Sequence, residues 1–137
     1  MTRLLVLAVL APAAPVRADD KPAAAVTYDG DVRPILRKQC GSCHAAERPR
    51  GDLDLSTYAG LLQGGLSGKA VVAGNPDASP LYTMTAHLED PKMPPNKPKI
   101  PQREIDTIRK WIEGGLVEKA GSAAATPAAT APKAAAG

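Results

Sequence analysis

The chain of 137 residues contains no phenylalanine, one tryptophan and three tyrosines. A folded segment of about 90 residues with so few large side chains builds only a thin core from its own atoms. A buried apolar guest would add stability at roughly 25 cal/mol for each Å² removed from water. The composition therefore points to a fold that depends on a cofactor, without saying which. Cysteine is limited to Cys40 and Cys43, and histidine to His44 and His87. That inventory works against a structural zinc site, which ordinarily takes four protein ligands: once Cys40, Cys43 and His44 are used, only His87 is left. A glycine-rich stretch runs from Gly64 to Ala78, but it lacks the G-x-x-x-x-G-K-[ST] order of a phosphate loop.

Excess positive charge is also smaller than it first looks. Lysine and arginine number 17 against 14 acidic residues, a formal charge of +3. Residues 1–18 read as a secretory signal, with Arg3 as the basic start, Leu4 to Leu10 as the apolar run and Val16-Arg17-Ala18 as a cleavage site ending in a small residue. Pro12 and Pro15 break the run, which is too short to span a bilayer. Cleavage removes Arg3 and Arg17 and no acid, leaving 15 basic against 14 acidic residues. This excludes a generally basic, nucleic-acid-binding protein, and no stable membrane insertion is expected after cleavage. The charge is unevenly spread. Lys92, Lys97, Lys99, Arg103, Arg109 and Lys110 face only Glu104 and Asp106 in one stretch, while Arg33, Arg37, Lys38, Arg48 and Arg50 flank the cysteines. A solvated helical face accounts for such runs as readily as a docking surface does.

What the chain does contain is Cys40-Gly41-Ser42-Cys43-His44. C-x-x-C-H is the signal for covalent attachment of a c-type haem. On a helix, Cys40, Cys43 and His44 stand at i, i+3 and i+4, on one face. Two thiols so placed can form thioethers with the haem vinyl groups, while the imidazole presents its outer nitrogen to the iron. Gly41 and Ser42 are small enough to let the macrocycle lie close to the backbone. A structural disulfide, a thioredoxin-like redox pair and half of a zinc site are the competing readings.

Along the chain, 19–27 reads as a flexible leader, 28–117 as the folded domain, and 118–137 as a disordered tail rich in Ala, Pro and Thr. Asp29 and Asp31 are helix-starting residues, and with Asp31 as the cap Pro34 falls in the first turn of a first helix that ends at the haem motif. In the loop that follows, a backbone carbonyl should accept the other ring N–H of His44, with Pro49 as the candidate. Ser56 should cap a short helix carrying Tyr58, Leu61 and Leu62, and Val71-Val72 should form a short extended piece. Ser79-Pro80 opens a helix reaching about His87 or Leu88. Pro101 opens the last helix, striped by Ile105, Ile108 and Ile112 with Trp111 beside them and closed by Gly114-Gly115.

Between the last two helices, Asp90 to Lys99 holds four prolines and cannot be helical. Met93 precedes Pro94, so its backbone is pushed to an extended conformation. A methionine on a stiff extended loop is poorly placed for core packing and well placed to present a thioether to a metal. His/Met ligation is that of c-type electron carriers and raises the haem potential. Met84 and His87 are the alternative sixth ligands: Met84 also reads as a gap-filling core residue, and His87 would give bis-histidine ligation.

Several stretches together carry a resemblance. Val32-Arg33-Pro34-Ile35-Leu36 precedes the haem motif, followed by Gly74-Asn75-Pro76-Asp77-Ala78-Ser79-Pro80-Leu81, then Met93-Pro94-Pro95, then Ile105 to Trp111-Ile112. From Tyr28 to Leu116 the chain resembles a class I cytochrome c domain, more narrowly the planctomycete-type cytochrome c domain. The resemblance implies an all-α fold of about four short helices wrapped around one covalently bound haem c, with the first and last helices crossing near Trp111. It implies thioethers at Cys40 and Cys43, and His44 and Met93 as axial ligands of the haem iron. It also implies haem attachment outside the cytoplasm, hence an exported protein, periplasmic or otherwise extracytoplasmic. The expected activity is one-electron transfer between redox partner proteins, with acidic and membrane-bound ones in view, and not catalysis of substrate chemistry. The alternative is a haem enzyme or sensor with an open or displaceable sixth site, peroxidase-like or gas-binding. The chain has no second C-x-x-C-H of a di-haem peroxidase, and no further acid–base pair stands out for a distal pocket.

Overall fold

The computed structural model describes residues 24–125. The signal reading of 1–18, most of the expected leader and the far part of the expected tail lie outside those residues. Within them, Thr27 starts the first helical segment. Its Oγ1 accepts from the Gly30 N–H at 3.2 Å, while the Asp31 carboxylate accepts from the Thr27 N–H at 2.8 Å. This reciprocal pairing satisfies two donors that a helix start leaves open. It moves the cap from Asp31 to Thr27, because the acid reaches back from inside the turn. A wide π-type turn over Tyr28–Val32 then runs into α1, Arg33–Gln39.

After α1 the helices are interrupted by one antiparallel ladder, β1 (His44–Ala45) with β2 (Arg48–Pro49), in which His44 faces Pro49. Helix α2, Tyr58–Gln63, is capped by Thr57, whose Oγ1 accepts from Gly60 N–H at 3.0 Å. Ser56, the expected cap, instead donates its N–H to Asp54 at 2.8 Å. Gly64 ends α2 with φ of 79°, and a side chain there would meet the Gly68 carbonyl.

No strand forms at Val71-Val72. Ser79 pins that segment: its fully buried Oγ accepts from the Val72 N–H at 2.8 Å and donates to the Asn75 carbonyl at 2.8 Å. With its hydroxyl so engaged, Ser79 makes no side-chain cap for α3, which spans Pro80–Thr85 and stops short of the expected His87. Helix α4 spans Gln102–Glu113.

The core brings the start of the described chain against its last helix. Tyr28, Val32 and Leu36 meet Ile105, Ile108, Trp111 and Ile112 in one buried cluster. Tyr28 is 1% exposed and Trp111 0%, with ring centroids 6.0 Å apart. Tyr58 packs on Tyr28 at 5.5 Å. Each ring has one polar tip, and each tip finds a backbone carbonyl. Tyr28 donates to Leu55 at 3.0 Å, Tyr58 to Leu116 at 2.7 Å, and Trp111 Nε1 to Val117 at 2.9 Å. Burial pushes the Tyr28 phenol up to about 12, against Arg33 and with Asp54 and Asp29, so it remains a protonated donor. Three of the four aromatic residues thus supply both the bulk and the ties of this region.

Beyond α4 the Val117 and Glu118 carbonyls accept from the N–H groups of Tyr28 and Asp29 at 2.8 and 2.9 Å, and Ala125 N–H donates to Gly115. Residues 118–125 therefore stay on the body, although composition alone assigns them to the tail.

Replacing Trp111 by Ala should destabilise the protein by about 3–5 kcal/mol. Trp111→Phe keeps most of the packing but loses the bond to Val117, and should cost about half as much or less. Denaturant midpoints of the two variants measure the difference; equal losses would mean that packing bulk at this position is unimportant.

Candidate functional site

The end of α1 sets the geometry of the haem motif. Cys40 N–H donates to Leu36 at 2.8 Å, and the N–H groups of Cys43 and His44 both donate to the Cys40 carbonyl, at 3.1 and 3.0 Å. The backbone thus makes one more tight turn, carrying Cys40, Cys43 and His44. A Cβ on Gly41 would come 2.5 Å from the Arg37 carbonyl oxygen, so glycine is required here by the turn itself. Both cysteines are free and half-buried. Burial pushes the Cys40 thiol up to about 11, with Cys43 and Glu104 adding to the effect.

Glu104 reaches this turn from the first turn of α4. It is 8% exposed, and its carboxylate accepts from Gln39 Nε2 at 2.7 Å and from Lys38 Nζ at 3.4 Å. The residue directly before Cys40 is therefore tied to the last helix. In the sequence Glu104 reads only as an acid suited to the positive end of a helix; its partners 65 and 66 residues away have no local signal.

His44 Nδ1 lies 3.3 Å from the Leu53 carbonyl. A carbonyl can only accept, so Nδ1 is the donor, and in the neutral ring this tautomer leaves the Nε2 lone pair for a metal. The acceptor is Leu53 and not the expected Pro49, which lies opposite His44 in the β1–β2 ladder. From there the chain turns through Gly51 and Asp52, both with positive φ, and returns so that Leu55 N–H donates to the His44 carbonyl at 2.8 Å. The imidazole is held at ring and backbone by the same returning strand of chain.

The Met93 loop is gathered separately, at the C-terminal end of α3. Met93 N–H donates to Met84 at 3.1 Å, and His87 Nε2–H donates to the Met93 carbonyl at 3.2 Å. Thr83 Oγ1 donates to Glu89 at 2.8 Å and closes the base of the loop. Met84, His87 and Met93 are all half-buried. Among the described residues no hydrogen bond or ion pair joins this group to the Cys40–His44 turn. Beside the loop lies an open depression of roughly 690 Å³ lined by Lys92, Lys97 and Lys99, together with His87 and the prolines.

Among the described residues no three His, Cys, Asp or Glu side chains converge on one ion position. Cys40, Cys43 and His44 thus assemble no protein-only metal site. They offer two free thiols and one imidazole nitrogen with its lone pair directed away from its protein partner. That donor set fits haem c, held by two thioethers and one axial bond.

Residues 40–97 match the family model described as Planctomycete cytochrome C. This match supports a planctomycete-type cytochrome c domain in the chain. Such a cytochrome domain has a haem-binding, electron-transfer role, and haem c is the cofactor it implies. No curated protein and no solved structure matches the chain. The matched stretch opens on Cys40 and takes in His44, Met84, His87 and Met93, while α1 and α4 lie outside it.

A thiol pushed up to about 11 leaves Cys40 with about one hundredth of the ordinary thiolate population near neutral pH. In the haem-free chain at neutral pH, Cys40 should therefore alkylate more slowly than an unperturbed thiol by about tenfold or more, since the stronger nucleophilicity of a high-pKa thiolate offsets part of its scarcity. Its rate should recover only as the pH rises toward 11. Peptide mass spectrometry after timed iodoacetamide exposure reads the rate. Fast labelling at Cys40 would show that the turn is not packed as described.

Proposed function

We propose that this chain is an exported mono-haem c-type cytochrome that carries one electron at a time. Haem c is held covalently at Cys40 and Cys43, with His44 and Met93 as the axial ligands of its iron. The observation that carries this reading is the pairing of His44 Nδ1 with the Leu53 carbonyl, which leaves Nε2 free as a donor directly beside two free thiols. Bound haem supplies the one-electron couple of its iron. The protein fixes one axial nitrogen, presents the second axial donor and shields the group from water.

Met93 is favoured over its rivals on this chain's own contacts. Both of its backbone groups are held, by Met84 and His87. The Nε2–H of His87 is engaged by the Met93 carbonyl. Met84 sits in α3, in sequence between buried Thr83 and Thr85. A donor anchored in this way speaks against an open sixth site, and so against the enzyme or sensor alternative. The packing of Tyr28 on Trp111 supports a class I, essentially all-α arrangement around one haem, with the β1–β2 ladder as a local addition.

The expected domain limits, 28–117, together with cleavage after residue 18, belong to the same proposal. Among the described residues no helix is long and apolar enough to cross a membrane. Lys92, Lys97, Lys99 and Arg103 are exposed, and they suit an acidic redox partner, membrane-bound or not.

The haem of the purified, exported protein should survive acid–acetone extraction; release of the haem would overturn the covalent attachment. The oxidised protein should show the weak far-red sulfur–iron charge-transfer band, which Met93→Ala abolishes and Met84→Ala leaves in place. Loss on Met84→Ala alone would transfer the ligand role to Met84. Raising ionic strength from about 0.01 M to about 0.15 M shortens the screening length from about 30 Å to about 8 Å. Association with an acidic redox partner should then slow by about tenfold or more. A rate indifferent to salt would exclude electrostatic docking through these lysines.

A further inference from the structure

His87 is unusual in two independent ways. Helix α3 closes with a Schellman-type turn, in which Leu88 N–H donates to Thr83 at 2.8 Å and His87 N–H to Met84 at 3.2 Å. This motif places the residue after the cap in the left-handed region, and His87 has φ of 59°. Glycine adopts that conformation without steric cost, and other residues are strained there. The second feature is the ring, whose Nε2–H donates to the Met93 carbonyl at 3.2 Å. The left-handed turn is what brings the ring back onto the loop.

The loop needs such an anchor. Pro91, Pro94, Pro95 and Pro98 have no N–H to donate, so the segment has little with which to tie itself down. Met93 is held from both sides by α3 and the turn that closes it: its N–H by the Met84 carbonyl, its carbonyl by His87. At the other proposed axial position the roles are reversed. There a backbone carbonyl, that of Leu53, fixes the imidazole of His44.

The geometry points to His87 as a positioning residue for Met93: its ring holds the Met93 carbonyl so that the thioether is already fixed in place for the haem iron. This rests on the reading of Met93 as axial ligand. Holding the donor beforehand removes the cost of ordering the loop when the bond forms. The consequence falls on how easily Met93 is displaced, and not on whether the haem is bound.

The rival role for His87 is simple helix capping, and the two roles order the variants oppositely. Capping alone favours His87→Gly, which relieves the left-handed backbone, over His87→Gln, which keeps it strained. Positioning favours His87→Gln, whose Nε2–H can still reach the Met93 carbonyl, over His87→Gly, which has no donor. The experiment titrates the oxidised, haem-loaded protein with imidazole and follows loss of the far-red sulfur–iron band. His87→Gly should need about tenfold less imidazole than the parent, equivalent to about 1.4 kcal/mol, the scale of one hydrogen bond. His87→Gln should stay within about threefold of the parent. A glycine variant that matches or exceeds the parent overturns the positioning role while leaving Met93 as ligand. If the parent itself shows no sulfur–iron band, the Met93 reading fails and this inference fails with it.

Discussion

The structure depends on one buried contact between the first helical segment of the described residues and their last helix, Tyr28 against Trp111. With no phenylalanine and four aromatic residues in all, bulk must be concentrated where it closes the most chain. Tyr28 and Trp111 are both fully buried, and Tyr58 joins them from α2. Their polar tips bind the carbonyls of Leu55, Val117 and Leu116, which lie on irregular segments. The same rings that fill space therefore also satisfy backbone groups of loops that have no ladder or helix to do so. The contact fixes α1 relative to α4, and α1 leads directly into Cys40.

From that frame the haem motif is positioned by a second, polar contact. Glu104 of α4 holds Lys38 and Gln39 of α1. A buried carboxylate is costly unless its oxygens are satisfied, and here both oxygens have donors. The pair thus sets the register between helices as well as their proximity. The loop from β2 to Leu53 then fixes the His44 ring, and the end of α3 fixes Met93. The two proposed axial donors are carried by different elements, each held by a hydrogen bond between an imidazole and a backbone carbonyl.

Some of this was legible from the chain alone. The order of the α-helices was, because helix starts and stops are local: Pro34, Ser79-Pro80, Pro101 and Gly114-Gly115 mark α1, α3 and α4, whereas the β1–β2 ladder left no such mark. The caps were less so. Asp31 and Ser56 are good caps by type, but Thr27 and Thr57 take the role because neighbouring acids, Asp31 and Asp54, bind elsewhere in the turn. Ser79 illustrates the same limit, since its hydroxyl is drawn to Val72 and Asn75 rather than to its own helix. Propensity ranks such residues for a cap but does not say which of several partners each will find.

By itself the sequence determined the chemistry on offer: two thiols and a histidine at fixed spacing, a methionine among prolines, and too few aromatics for an ample core. These follow from residue identity and from covalent constraints over a few positions. Only the tertiary structure decided how that chemistry is held. Leu53 rather than Pro49 as the partner of His44, Glu104 against Gln39, and His87 on the Met93 carbonyl all join residues that become neighbours only when the chain folds back on itself. Their physical cause is that polar groups left without a local partner must be satisfied by whatever the fold brings near.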